Sequence, residues 1–299
     1  DAVAGVVNFV LDDDFTGAEF STSYESADGG NEKLNFEAIF GGDIAEGRGH
    51  VTGYLGYTER KELLAGERSY ALDNSTPLIN SGGYYTDVAS GNSLAITDAG
   101  SVSNERQTTD FTADRYLTQP MERFSTGLLF DVDVSNSAVA YGRAMYSKVT
   151  VKGAGASGQT PIFVNEQVTL TSNNPYIPSE LRDQLTFDSE GNARVNVERN
   201  LGLGVQHTEA VRDSMQFQLG LKGDLTDYLR YDVYGQYGKT DEVATIYNNA
   251  YRNDNSGNSR FAALANSVDI FDPNLDLTDF SDPLIYTTRD RTQSVISAT

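Results

Sequence analysis

From Ser214 to Lys239 apolar side chains recur at alternate positions: Met215, Phe217, Leu219, Leu221 and, past Gly223, Leu225, with Gln216, Gln218, Lys222 and Asp224 among the residues between them. After Thr226-Asp227-Tyr228 the alternation resumes, with Leu229, Tyr231, Val233 and Tyr237 on one side and Arg230, Asp232, Tyr234 and Gln236 on the other. A period of two marks a strand with one apolar and one wet face, and the short break makes the pair a hairpin with a tight turn. Its arms are about twice the usual length of a strand in a soluble sandwich. They suit the ~9 to 11 residues with which a β-strand crosses a membrane.

The same pattern recurs along the chain. Ala18, Phe20, Thr22 and Tyr24 oppose Glu19, Ser21 and Ser23; Leu34, Phe36, Ala38 and Phe40 oppose Asn35 and Glu37, with Ile39 as the exception. A weaker third stretch near His50 to Thr58 puts Val51, Leu55 and Tyr57 on one face. Phe124, Thr126, Leu128, Phe130, Val132 and Val134 then oppose Arg123, Ser125, Asp131 and Asp133, and Asn136-Ser137 turns the chain. In the return stretch Ala140, Ala144 and Tyr146 oppose Tyr141, Arg143 and Met145. Arg143 belongs on the wet face, because a lipid-facing arginine costs about 2–4 kcal/mol at the bilayer midplane. Arg291 to Thr299 begins an eighth strand.

Three excursions break the alternation, at about 59–120, 153–212 and 241–290. They are expected to be long loops with two short helices, Pro178 to Leu185 with a serine N-cap and Ser259 to Val268. They follow strands three, five and seven, whereas short turns follow two, four and six. Long connections at one end and tight ones at the other are the layout of a membrane barrel. Structureless connections of this length argue against a compact soluble domain.

Composition removes several alternatives. No apolar run approaches the ~18 residues of a helical membrane span, and a mean hydropathy of -0.42 agrees. That average does not count against a barrel, whose strands are half wet. Cysteine is absent, which excludes disulfides, thiol catalysis and Cys-ligated metals. His50 and His207 lack a third partner for a metal or triad site and read as polar strand or loop residues. A formal charge of -21 speaks against nucleic acid as a partner. No catalytic pair and no phosphate-binding glycine loop is found, so the chain is not read as an enzyme, and no cofactor site is assigned.

Two loop features carry candidate chemistry. Asp272, Asp276 and Asp279, with Asn253 to Asn258 nearby, offer oxygen ligands suited to Ca²⁺, but no closing glutamate follows at the offset of a calcium-binding loop. A hydrated acidic loop is therefore the preferred reading, and calcium is a subsidiary one. The loop aromatics Tyr84, Tyr85, Tyr116, Tyr176, Tyr247 and Tyr251, together with Phe163, Phe261 and Phe271, either form a stacking surface for a sugar or an aromatic chelate, or pack the loops and build an interfacial girdle.

The opening run Ala4-Gly5-Val6-Val7-Asn8, followed by Phe9-Val10-Leu11, resembles the end of the plug domain in TonB-dependent outer-membrane receptors. Asn173 to Pro178 and Glu198 to Gly204, feeding Leu219 to Leu225, resemble a subgroup of the same family. The resemblance implies an all-β fold, part of a transmembrane antiparallel β-barrel of about 22 strands enclosing an N-terminal plug. On that basis residues 1–11 end the plug, 12–17 form a linker and 18–299 supply the N-terminal part of the barrel. The implied setting is the outer membrane of a Gram-negative bacterium, against lipid and lipopolysaccharide. The implied function is energised uptake of a scarce nutrient: a ferric siderophore, a cobalamin-like cofactor, an oligosaccharide or a peptide. The implied partner is the TonB-ExbB-ExbD system, acting through a Ton box expected upstream in a longer protein. A secreted or surface all-β adhesin or carbohydrate-binding protein is the alternative, and a surface enzyme on a barrel is a third class.

Overall fold

The computed structural model describes residues 11–27, 30–72, 77–154, 161–226, 228–250, 258–280 and 284–298. In chain order the principal strands begin with β1 (Gly17–Ala27), β2 (Gly30–Ile44) and β3 (Gly49–Arg60). The first excursion then carries β4 (Tyr84–Asp87), β5 (Ser93–Ile96) and β6 (Val102–Ser103). The long pair β7 (Met121–Ser135) and β8 (Ala138–Ala154) follows. β9 (Pro161–Thr171), the short helix α1 (Ser179–Arg182) and β10 (Asn192–Val205) occupy the second excursion. Last come β11 (His207–Thr226), β12 (Leu229–Tyr247), helix α2 (Arg260–Leu264) and β13 (Leu284–Ala298).

The fold is all-β, with antiparallel pairing between neighbouring strands. Eight strands form one sheet in the order β1-β2-β3-β7-β8-β11-β12-β13, with β1 and β13 at its edges. Where a tight turn joins two strands, as from Ser135 to Ala138, adjacent strands pair directly. Where an excursion intervenes, the strand after it returns to pair with the strand before it, as β3 does with β7 and β8 with β11.

Register turns the alternation of each strand into rows across the sheet, because directly paired residues point to the same face. One face carries Phe40, Gly53, Leu128, Ala144, Phe217 and Tyr237 in a row. The next row holds Val51, Phe130, Gly142, Leu219, Gly235 and Ile296. These side chains are not enclosed between sheets: Phe217 is 50% exposed, Leu219 63% and Ile296 89%. Toward the excursions the same face changes character, through Tyr57 and Phe124 to Lys148, Asp213, Asp241 and Asp290 in a single row. An apolar belt with a charged margin results.

Aromatic rings cover cross-strand glycines on the opposite face. A Cβ on Gly220 would lie 2.4 Å from the Tyr141 ring, and one on Gly127 would lie 2.4 Å from the Tyr54 ring. Each glycine has no side chain of its own to pack, and the neighbouring tyrosine fills the space.

The three excursions are not structureless. β9, β10, β4, β5 and β6 form a second, five-stranded sheet, in which β10 of the second excursion pairs with β4 of the first. Beneath it lies an apolar core of Tyr85, Ile96, Val168, Leu170, Val195 and Val197, joined by Leu181 of α1 and by Phe261, Ile270 and Phe271 from the third excursion. Fully burying one such aliphatic side chain contributes about 1.5–3 kcal/mol. The excursions are therefore one packed cap. On β9 and β10 its apolar positions alternate with polar ones, Val168 and Leu170 about Thr169 and Val195 and Val197 about Asn196, a period of two inside a stretch expected to be loop. Which distant segments they meet is not written in that local pattern.

The helix expectations change in detail. The serine N-cap expected at Ser179 is displaced: Ser179 is the first helical residue and Pro178 occupies the cap without a side-chain hydrogen bond. α2 carries a cap that was not expected, with Ser259 Oγ accepting from the Ala262 amide at 3.0 Å. The strands also overrun the expected excursion margins, β8 reaching Ala154 and β11 starting at His207.

Candidate binding face

The wet sides of β7, β8, β11 and β12 lie next to one another and line a recess of about 420 Å³ with Asp131, Tyr141, Arg143, Gln218, Lys222, Asp232 and Gln236. The rows decide who meets whom. Lys222 pairs across with Asp232, and Arg143 shares a row with Gln218 and Gln236. The Tyr141 hydroxyl donates to Asp232 Oδ1 at 2.5 Å, and the Lys222 ammonium lies 5.4 Å from the centre of the Tyr141 ring. Arg143 Nη2 donates to Gln236 Oε1 at 3.4 Å, whereas its buried Nε has no hydrogen-bond partner among the described residues. A second recess of about 400 Å³ continues toward the excursions, with Tyr54, Ser125, Ser147, Ser214, Gln236 and Arg291 among its lining residues.

The segment ahead of β1 crosses this face. Thr52 Oγ1 donates to the Asp13 carbonyl at 3.0 Å. His50 Nε2 meets the Phe15 carbonyl at 2.7 Å, and its Nδ1 meets Asp43 Oδ1 at 3.1 Å. Gly41 makes the crossing possible, since a Cβ there would lie 2.0 Å from the Phe15 carbonyl oxygen. Leu11 and Asp13 complete the first recess. Charged, amide and phenolic groups line the face and offer many modest hydrogen bonds to a polar solute.

The sequence candidates fall elsewhere. Tyr85 cannot touch a substrate: it is completely buried, its hydroxyl donates to the carbonyls of Gly82 and Ile270, and its ring packs 4.9 Å from that of Phe271. Burial pushes the Tyr85 phenol upward in pKa, opposed by the neighbouring Arg199 guanidinium. Phe261 and Phe271 are likewise core residues. Tyr84 lies under the Arg106 guanidinium, 5.4 Å from it, and Tyr247 stacks on His207 at 5.2 Å. Tyr116 pairs with Leu64 in a short bridge, and Tyr176 is exposed. Tyr251 and the run Ala4, Gly5, Val6, Val7 and Asn8 lie outside the described residues.

Of the acidic candidates, Asp272 Oδ1 accepts the Asn274 amide at 2.8 Å, and Asp276 Oδ1 accepts the Thr278 hydroxyl at 2.7 Å and amide at 2.9 Å. The Thr278 bonds hold the Asp276 carboxyl below the usual carboxylate range. Asp279 begins no shared site with them: among the described residues no three His, Asp or Glu side chains converge to hold a metal. The recess residues Tyr141, Arg143, Lys222 and Asp232 were already legible as wet-face positions. Their convergence requires the strand register, which single-strand patterns do not contain.

No protein-family model, curated protein or solved structure matches this chain. Among the described residues no helix is long and apolar enough to cross a membrane, a statement that does not bear on strands.

Proposed function

We propose that the chain is part of the wall of a TonB-dependent outer-membrane transporter, with the polar face of the long-strand sheet turned to the lumen and the folded cap outside the cell. The observation that carries this reading is the exposed belt of Phe217, Leu219 and Ile296, backed by a face that bears Arg143, Lys222 and Asp232. A water-exposed sheet normally keeps its apolar face covered, whereas a barrel wall turns that face to hydrocarbon. Exposed apolar patches much above a few hundred Å² mark an interaction surface, and lipid is the occupant that accepts so broad a belt. The segment 11–16 on the polar face fits a linker that leads from a plug into the first strand. On this reading the cargo is a scarce nutrient taken up by energised transport: a ferric siderophore, a cobalamin-like cofactor, an oligosaccharide or a peptide.

The chain contains no tryptophan, so a single introduced one reports its own surroundings. In vesicles of brominated phospholipid, Leu219→Trp is expected to be strongly quenched and Gln218→Trp hardly at all. Equal quenching would remove the membrane assignment and favour a surface all-β adhesin. Transport itself is tested by growth of a deletion strain on a panel of iron chelates, corrinoids, glycans and peptides, where loss of growth on one class identifies the cargo.

A further inference from the structure

At the end of the long-strand sheet that leads into the excursions, charge is sorted between the two sides. On the polar side three successive rows carry the bases Lys33, Arg60, Arg123, Arg212, Arg289 and Arg291 against the acids Glu25, Glu37 and Glu242. The three rows interleaved with them on the apolar side carry the acids Glu59, Glu122, Asp213, Asp241 and Asp290 against the bases Lys148 and Lys239. In a chain with 43 acidic and 22 basic residues, the polar side therefore holds a basic patch.

Local partners do not exhaust this charge. Lys33 pairs with Glu25 at 3.3 Å, and Arg60 Nε donates to the Gln119 carbonyl at 3.0 Å. Arg212 reaches Glu242 Oε2 through Nε at 3.0 Å and Nη2 at 2.7 Å. Arg289 pairs across from the same glutamate and Arg291 follows one row below, so one carboxylate faces three guanidinium groups. Among the described residues Arg123, Arg289 and Arg291 form no salt bridge. Glu37 lies on β2, two strands away from Ser125.

Below the arginine row runs a row of hydroxyls on adjacent strands, Ser125, Ser147, Ser214 and Thr240, which ends at Arg291. All five line the recess of about 400 Å³, a volume suited to a small molecule. Guanidinium forks hold carboxylate and phosphate oxygens in pairs, and hydroxyls donate to the oxygens left over. From Arg123 to Arg212, and from Arg212 to Arg289, the backbone separation is ~10 Å across two strand gaps; Arg289 and Arg291 are ~7 Å apart along β13. A solute with several oxyanionic groups engages more than one of them at once. The acidic run Asp12 to Asp14 does not supply that charge, because Thr52 holds the Asp13 carbonyl at the tight-turn end of β3. The level of the arginine row, at Thr58, is ~20 Å further along that strand.

We propose that this patch binds a small solute carrying two or more carboxylates or phosphates, with Arg123, Arg212, Arg289 and Arg291 engaging its oxyanions and the hydroxyl row donating beside them. The inference rests on the reading of this face as a solute path, and it adds the charge of the cargo.

The test is calorimetric titration of the full chain in detergent with citrate, tripolyphosphate, maltotriose and spermidine. Citrate or tripolyphosphate should bind, the tighter of the two naming the oxyanion, and neither maltotriose nor spermidine should compete. Salt should weaken the binding. The double variant R289Q/R291Q should lose about tenfold or more, the scale of one charge-assisted hydrogen bond. Arg230→Gln, in the distant β11–β12 turn, should change nothing. Glu242→Gln removes the carboxylate that competes for the guanidinium groups and should strengthen binding severalfold, a gain that misfolding cannot imitate. Binding of neither anion at millimolar concentration, unchanged affinity in R289Q/R291Q, or weaker binding in Glu242→Gln would each overturn the proposal. The tryptophan quenching experiment decides the membrane reading separately: strong quenching of Leu219→Trp without anion binding sinks only this inference, whereas anion binding with equal quenching leaves the site standing and removes the transporter.

Discussion

The guanidinium of Arg199 donates through Nη1 to the carbonyl oxygen of Ile270. Nη2 reaches the Asp272 carbonyl at 3.0 Å, and the Tyr85 hydroxyl donates to the same Ile270 oxygen at 2.7 Å. Three residues from three excursions thus meet at one peptide group. Arg199 is only 1% exposed, and burial pulls its pKa below the ordinary arginine range, opposed by the neighbouring Tyr85. A buried cation that caps backbone carbonyls is specific because losing it strands acceptors that water cannot reach.

Replacing Arg199 by methionine, which keeps much of the volume and removes the donors, is expected to cost about 2–4 kcal/mol, mostly from the unsatisfied carbonyls. Hydrogen exchange should show the loss in the cap, with faster exchange at the Ile270 and Asp272 amides. Protection of β7 and β8 should be retained. A global loss of protection would mean that cap and long-strand sheet unfold as one unit.

Asp87 is expected to make the cap sensitive to acid. Burial pushes its carboxyl up, but hydrogen bonds that include the Ser90 amide at 2.8 Å and hydroxyl at 2.7 Å outweigh it, so the folded pKa lies below the usual value. A depressed carboxyl contributes stability that is present above the unfolded pKa of about 3.9 and disappears as pH falls through the folded one. Asp87→Asn should therefore cost about 1 kcal/mol at pH 7, the scale of one hydrogen bond, and should flatten the loss of cap stability below about pH 4. An unchanged acid profile in the variant would show that Asp87 does not contribute to it.

His50 ties the segment ahead of β1 to the polar face through the Phe15 carbonyl. Removing the ring in His50→Ala deletes one hydrogen bond to that segment, worth about 1 kcal/mol. Limited proteolysis within residues 11–16 should then run roughly fivefold faster, the factor that corresponds to that energy. An unchanged cleavage rate would show that Thr52 and the close fit over Gly41 hold the segment without the histidine.

Gly220 lies under the Tyr141 ring, and Gly220→Val should expel the ring and break its bond to Asp232. The expected cost is about 1–3 kcal/mol, as for other overpacked sites. In a Tyr141→Ala background the same substitution should be near neutral or favourable. Unfolding midpoints of the four variants in a double-mutant cycle measure the coupling, and additive costs would refute the ring-over-glycine contact.

Strand identity was local information. From Met215 to Tyr237 the side-chain period assigns Leu219 to one face and Gln218 to the other, and both directions hold in the sheet. The turn at Asn136-Ser137 and the serine cap of α2 are likewise local chemistry, since each depends on a few neighbouring residues. Ser179 shows the limit of that chemistry: Pro178, one residue earlier, took the cap position.

The amino-acid sequence by itself determined the two faces of the long strands around the tight turns, because that follows from alternation within one strand; β9, β10 and the start of β13 at Leu284 lay in stretches read as loop. Only the tertiary structure decided that three irregular excursions form a second sheet with its own core, that Tyr85 belongs inside it, and that Tyr141, Lys222 and Asp232 share a recess. These facts depend on register and on contacts between residues as far apart as Tyr85 and Ile270. Such contacts form when separated segments lose water together, and no local pattern records which segment will meet which.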